Sequence, residues 1–317
     1  MGLMLGGLIG CAGERDQSML HPVGPAAQRI ATLWWVMFGV YGVILLLTLV
    51  LLAVGLALPR RNEDASAGLG TGFVVFTGLV APTLILLVML IYTVLVTRAE
   101  TREPSFRIEV IGHQWWWEVR YPGPGVVDAN ELHLPVGEVV ELELRSADVV
   151  HSFWAPNLAG KMDVLPDHPT ILRVEADRPG VFRGQCTEYC GTQHALMAFR
   201  VVVQERADLR RWLAGRAPLA TFEDRPRLRR GRQVYLAAGC GECHRIEGVS
   251  LGNTGPDLTR FGGRATLGAG VFANTPENLE LWIADPQAMK PGARMPGTTL
   301  DASDRQALVA YLRSLQP

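Results

Sequence analysis

The sequence predicts a membrane protein of three folding units: a two-helix transmembrane hairpin, an all-β sandwich or Greek-key barrel, and a largely α-helical C-terminal unit. Three observations carry this. Residues 31–58 and 73–97 are uncharged runs, each longer than the ~20 residues a bilayer core requires. From Phe106 the pattern changes to short alternating runs punctuated by Gly and Pro, the period-two signature of strands. Residues 227–317 open near Cys240-Gly-Glu-Cys243-His244 and close on the amphipathic stretch DASDRQALVAYLRSLQ.

A length of 317 residues suits two or three domains. The 48% hydrophobic content is high for a soluble protein, and the excess lies in the two apolar runs. A net charge of −1 offers no electrostatic case for nucleic acid. The five cysteines fall as Cys11, Cys186 with Cys190, and Cys240 with Cys243. Pairs this tight read as ligand or attachment sites rather than a disulfide framework.

Residues 1–11, MGLMLGGLIGC, end in a box similar to a bacterial lipoprotein cleavage site, which predicts signal removal and acylation of Cys11. The run is short and lacks a basic start, so a free thiol at Cys11 stays open. The hairpin is expected over 29–98, with Trp34, Trp35 and Tyr41 toward one interface. Pro82 is tolerable inside a membrane helix. Two spans put both chain ends on one side. Arg60 and Arg61 favour a cytoplasmic loop, although Arg98, Arg102 and Arg107 weaken that charge bias.

Six or seven strands are expected over 104–204, from FRIEVIGHQWWWEVRY to MAFRVVV. The last two flank CTEYCGTQHALM, which sets Cys186, Cys190, His194 and Met197 within twelve residues. Thiolate, imidazole and thioether are a soft set that selects copper. Met is a poor zinc ligand, and a single blue copper needs only one Cys. Two Cys, two His and one Met suit a copper pair bridged by both sulfurs, with His151 in DVVHSFW as the second imidazole. A Cys186–Cys190 disulfide is the bland alternative, and it leaves His151 and Met197 unexplained.

Residues 205–226 read as a helix and linker, followed by an arginine cluster that suits a solvated helix start better than a docking patch. Cys240-x-x-Cys243-His244 is the covalent attachment pattern of a c-type haem, with His244 on the iron. A zinc site would need a second ligand pair, and 245–317 has none. The sixth ligand falls to Met295, in a Gly/Pro-rich loop, or to Met289, just beyond a helix starting at Thr275-Pro276. Ser303 and Gln306 signal the cap of the last helix.

Taken together, these motifs resemble subunit II of a haem–copper cytochrome c oxidase with a fused C-terminal cytochrome c, as in caa3-type oxidases. The resemblance covers nearly the whole chain. It implies a cupredoxin-like Greek-key domain and an all-α class I cytochrome c domain. It implies a dinuclear CuA centre on His151, Cys186, Cys190, His194 and Met197, with the Glu188 carbonyl completing the set. The Glu188 side chain matches a ligand to magnesium or manganese shared with subunit I. Trp115 in GHQWWWEVRY matches the electron-entry residue, whereas Trp116 and Trp117 suit ordinary strand packing. Asp148, Lys161 and Asp163 are implied as supporting or proton-exit residues, and GPDLT (Gly255 to Thr259) as the proximal haem loop. One departure is the lack of the acid that many of these oxidases carry near the start of the second span for proton uptake: either Glu63 or Asp64 in the preceding loop substitutes, or entry to that path is organised otherwise.

The implied function is electron relay from cytochrome c or another periplasmic donor, through haem c and CuA, to the oxygen-reducing, proton-translocating subunit I. Subunit III and membrane lipid are further expected partners. The expected location is the bacterial inner membrane, with both metal domains on the periplasmic face. No residue here is expected to act as acid, base or nucleophile. A swing of the haem domain toward Trp115, allowed by the 215–230 linker, is expected to deliver electrons. The competing readings are the electron-entry subunit of a CuA-type nitric oxide reductase and a membrane-tethered copper-binding or chaperone module.

Overall fold

The computed structural model describes residues 15–58, 67–98, 100–215 and 225–316. Cys11, Glu63 and Asp64 lie outside the described residues. Helix α1 runs Pro25–Ala57. Its 33 residues span about 50 Å at 1.5 Å per residue, against a hydrocarbon core of about 30 Å. The surplus lies at its start, where Ala27 and Ala31 are buried and the Ala27 N–H donates to the Leu158 carbonyl. The return limb is α2 (Ala67–Val75), a π-helical stretch Phe76–Val80, and α3 (Ala81–Val96). Pro82 accounts for the irregularity. It has no N–H for the Gly78 carbonyl and its ring would collide with that oxygen in a regular helix, so the widened turn sits just before it. Leucine and valine side chains along both limbs are exposed, as lipid-facing surface requires.

The sandwich has ten strands: β1 Phe106–His113, β2 Trp116–Tyr121, β3 Val126–Ala129, β4 Glu131–Pro135, β5 Val140–Ser146, β6 His151–Trp154, β7 Met162–Val164, β8 Thr170–Val174, β9 Gly180–Cys186 and β10 Ala198–Gln204. One sheet is ordered β3-β2-β1-β5-β8 and the other β4-β10-β9-β6-β7. β1 pairs in parallel with β5, and β4 with β10; the other pairings are antiparallel. The strand count exceeds expectation because alternating runs such as FRIEVIGHQWWWEVRY fold back on themselves within one stretch. Inward residues of both sheets make the core, centred on Trp117, Phe153 and Phe199, whose rings meet at 4.4–5.7 Å.

Helix α4 (Arg206–Ala214) leads to the C-terminal unit of α5 Pro226–Ala237, α6 Cys240–Cys243, α7 Pro276–Ala284, α8 Pro286–Met289 and α9 Ala302–Ser314. α5 and α9 cross at Gly231, where a Cβ would fall 2.1 Å from the Ala307 carbonyl oxygen. Only glycine allows that approach. The cap of α9 corrects the sequence reading: Asp301, not Ser303, accepts the Asp304 N–H at 2.8 Å. A carboxylate placed at the first unsatisfied N–H groups, near the positive helix end, outcompetes the hydroxyl, and Ser303 Oγ instead donates to Asp301.

The sandwich and the C-terminal unit meet along a buried polar seam. Arg264 Nε pairs with Asp128 Oδ1 at 2.6 Å, and the Ala265 N–H donates to Glu131 Oε1 at 2.6 Å. Arg260 lies over the Trp212 ring and donates to carbonyls at the end of α4. Trp212 in turn stacks on His133 at 3.8 Å. The Ala198 N–H reaches the Ala269 carbonyl.

Candidate metal centres

β9 ends at Cys186 and β10 begins at Ala198, so the intervening loop is held at both ends by paired strands. The two thiols stand 3.7 Å apart, far beyond the ~2.05 Å of a disulfide, and both are free. Each faces an imidazole: Cys186 Sγ is 3.9 Å from His151 Nδ1, and Cys190 Sγ is 3.7 Å from His194 Nδ1. Met197 Sδ lies 3.8 Å from Cys190 Sγ, and the Glu188 carbonyl oxygen 3.2 Å from Cys186 Sγ. All six predicted donors therefore converge. Two sulfurs flanked by two imidazoles, a thioether and a carbonyl exceed the four donors of tetrahedral zinc and fit a soft metal pair.

The orientation of His151 is built in. Its Nε2 meets Asp148 Oδ1 at 2.8 Å, which turns Nδ1 toward the sulfurs. Asp148 is held in turn by the Gln114 N–H at 2.7 Å. Gly112 leaves room for the ring, since a Cβ there would lie 2.8 Å from His151 Cδ2. Burial works against a charged His151, yet the bonds to Cys186 and Asp148 outweigh it and raise its pKa. Hydrogen bonding with Cys190 lowers the pKa of the Cys186 thiol, and the same contact raises that of Cys190.

Trp115 is half-buried beside the Cys186–Met197 loop, and its indole N–H donates to the Cys190 carbonyl at 3.0 Å. Trp117 is a core residue, whereas Trp116 stacks on His113 at 4.2 Å. Glu188 is half-buried. Lys161 and Asp163 lie exposed on or next to edge strand β7, without a side-chain hydrogen bond or ion pair among the described residues.

In the C-terminal unit, Cys240 and Cys243 bracket the single turn of α6 and His244 follows it. His244 Nδ1 donates to the Pro256 carbonyl at 2.8 Å, within the GPDLT loop. This fixes the tautomer and leaves Nε2 as the ligating nitrogen. Burial lowers the His244 pKa, which favours the neutral, ligating form. The two thiols and this oriented imidazole fit covalent attachment of a haem. Met295 is half-buried in the loop after α8, and Met289 is the last residue of α8.

Residues 125–205 match the family Cytochrome C oxidase subunit II, periplasmic domain, and residues 228–316 match Cytochrome c. The cytochrome c oxidase subunit 2 of Alkalihalophilus pseudofirmus is 35% identical over 98% of this chain and 94% of its own length. The chain belongs to the cytochrome c oxidase subunit II family. That of Bacillus subtilis is 30% identical over 82% of this chain and 77% of its own. Among solved structures, the periplasmic domain of subunit II of cytochrome oxidase from Bradyrhizobium japonicum is 28% identical, covering 36% of this chain and 94% of its own with a TM-score of 0.35. As a subunit II with a cytochrome c domain, the chain is the electron-transfer subunit of an oxygen-reducing haem–copper oxidase. It carries a CuA domain and a haem c domain on a membrane hairpin and partners subunit I.

Sequence reasoning missed several residues of this subunit II. Asp128, Glu131 and Arg264 build the seam, while Gln193 and Arg294 link the two metal-binding regions. Arg264 lies 136 residues from Asp128, and no local spacing marks such a pair. Nothing in the sequence sets Gln193 apart from Thr192 or the other non-donor residues of CTEYCGTQHALM.

Proposed function

We propose that His151, Cys186, Cys190, His194, Met197 and the Glu188 carbonyl hold the dinuclear copper, and that Cys240, Cys243, His244 and Met295 hold haem c. When bound, these groups supply reversible one-electron oxidation and reduction. The protein's part is to keep their donors still. Cys186 and Met197 are tied across the loop ends by the Cys186 N–H to the Met197 carbonyl, 2.9 Å. His151 starts a strand paired on both sides. Buried donors on paired strands rearrange little when charge changes. The convergence of six soft and carbonyl donors around a 3.7 Å sulfur pair carries this reading.

Trp115 is proposed as the entry residue, supported by its hydrogen bond to the copper loop. The Glu188 carboxylate is proposed as a magnesium or manganese ligand facing subunit I. Asp148 supports His151, and Lys161 and Asp163 face outward as proton-exit candidates. Cys11 is proposed as a lipidation site. The domains are taken as 29–98, 104–204 and 227–317, with a helix and linker at 205–226. The location proposed is the bacterial inner membrane with the metal domains outside, subunit III as a further partner, and a periplasmic cytochrome c as donor.

Electron spin resonance and optical spectroscopy of the purified, copper-loaded chain test the assignment. The expected result is one unpaired electron shared by two copper nuclei alongside a c-type haem spectrum. A one-copper signal or bound zinc overturns it.

A further inference from the structure

The loop after α8 crosses the seam and lies on the Cys190–His194 turn of the sandwich. Gln193 is only 3% exposed, and its side-chain amide donates to the carbonyls of Lys290 and Pro291, each at 3.0 Å. Gly292, at φ +86°, packs so closely that a Cβ would lie 2.9 Å from Thr192 Cγ2. Lys290 is also buried, and its ammonium donates to the Gly268 carbonyl at 3.0 Å, tying the loop back to its own domain. Further on, the Arg294 guanidinium lies 5.3 Å from the Trp115 ring centroid and bonds Gln114 Oε1. Gln114 Nε2 and Trp115 Nε1 both donate to the Cys190 carbonyl, at 2.7 and 3.0 Å.

A buried amide needs acceptors for its N–H groups, and leaving them unmade is costly. The acceptors of Gln193 come from the other domain. Its side chain is therefore complementary to the docked loop and not to the sandwich that carries it. It is covalently next to His194 on one side, and its bonded partners run on to Met295 within the same short loop on the other. Arg294, Trp115 and the Cys190 carbonyl make a second contact chain between the same two regions.

We propose that Gln193 is a positioning residue for electron transfer within the chain. Its amide seats the 290–295 loop on the copper loop, so that the His194 and Met295 ends are joined by a fixed hydrogen-bonded bridge. The buried Arg264–Asp128 pair and the Glu131 contact hold the domains in this arrangement, so transfer proceeds without a swing of the haem domain. With haem and copper bound at these residues, one electron would pass from the haem side to the copper side with no bond made or broken. The proposal rests on the metal assignments made under the proposed function.

The test uses the full-length, metal-loaded chain with Gln193→Glu and Gln193→Leu. Gln193→Glu keeps the shape but replaces the donors with an oxygen facing two carbonyls. Gln193→Leu removes the polar head. Hydrogen–deuterium exchange of 290–295 and the haem-to-copper transfer rate after photoreduction are both measured, with the copper spin signal and the haem spectrum as references. The expected result is exchange about tenfold faster, as loss of two hydrogen bonds implies, with transfer at least about tenfold slower in both variants and both spectra unchanged. Wild-type transfer rates with wild-type exchange overturn the proposal. So does slower transfer with an altered copper signal and unchanged loop exchange, because Gln193 then acts through the copper ligands. A parent chain that lacks the two-copper signal overturns the metal assignment itself, which is a separate failure.

Discussion

Arg264 Nε and Asp128 Oδ1 stand 2.6 Å apart with their side chains 5% and 3% exposed, one in the haem domain and the other in the copper domain. A buried ion pair contributes little net stability against an apolar replacement, but removing one partner strands the other charge. Asp128→Ala is expected to destabilise the docked pair of domains by about 3–5 kcal/mol. The double variant Asp128→Leu/Arg264→Met should recover most of that loss. Thermal unfolding and trypsin cleavage near 215–230 report both. Equal stability of Asp128→Ala and the parent would show that the pair does not hold the seam.

Glu131 beside this pair is raised to about 7, by burial first and then by the Asp128 charge. A carboxylate whose folded pKa exceeds its unfolded value of 4.5 holds its proton better when folded. Its stabilising influence is complete below pH 4.5 and is lost as pH rises through 7. Burial also lowers His133 to about 4, and that group loses stability in the opposite direction, as pH falls from 6.5. Glu131→Gln keeps an oxygen for the Ala265 N–H and removes the carboxylate. It should match the parent near pH 4.5 and exceed its stability by about 3 kcal/mol above pH 8. Melting curves across this range check it, and a difference independent of pH would refute the buried titration.

Asp148 holds His151 by its Nε2. Asp148→Ala should weaken copper binding roughly 10–100-fold by releasing the ring, whereas Asp148→Asn, still able to accept at one atom, should lose less. Chelator competition monitored by the copper spin signal measures this. Equal affinities in all three proteins would remove Asp148 from the site.

Gly231→Val puts side-chain atoms where α5 meets the Ala307 carbonyl and Tyr311. An overpacked crossing costs about 1–3 kcal/mol. The haem domain should melt earlier while the copper spin signal keeps its shape. An unchanged melting temperature would mean that the two helices part freely.

Much of this was legible because the chemistry is local. The Cys186–Met197 loop packs its proposed copper donors into twelve residues and the haem motif takes five, and the hairpin declares itself by charge-free length. His151 was legible as a candidate because the proposed copper pair needs a second imidazole, and it folds to 3.9 Å from Cys186 Sγ. The strand boundaries were less so: β1 and β2 turn back inside one alternating run at Gln114-Trp115. The seam was invisible. Asp128, Glu131, Arg260 and Arg264 look like ordinary surface charges in sequence, and only folding brings them under cover. The cap of α9 was misplaced by two residues because Asp301 and Ser303 both satisfy the capping preference, and backbone geometry alone chooses between them.

The start of α1 carries one more implication. The Val23 N–H donates to the Asn157 carbonyl, the Asp177 N–H to the Val23 carbonyl and the Ala27 N–H to the Leu158 carbonyl. Asp16, further upstream, pairs with Arg200 on β10. A helix joined in this way to the sandwich cannot change its tilt in lipid without turning the sandwich with it. Bilayer thickness therefore becomes a variable of the redox site: a thinner or thicker membrane would alter the angle at which the copper loop meets a neighbour embedded beside the hairpin.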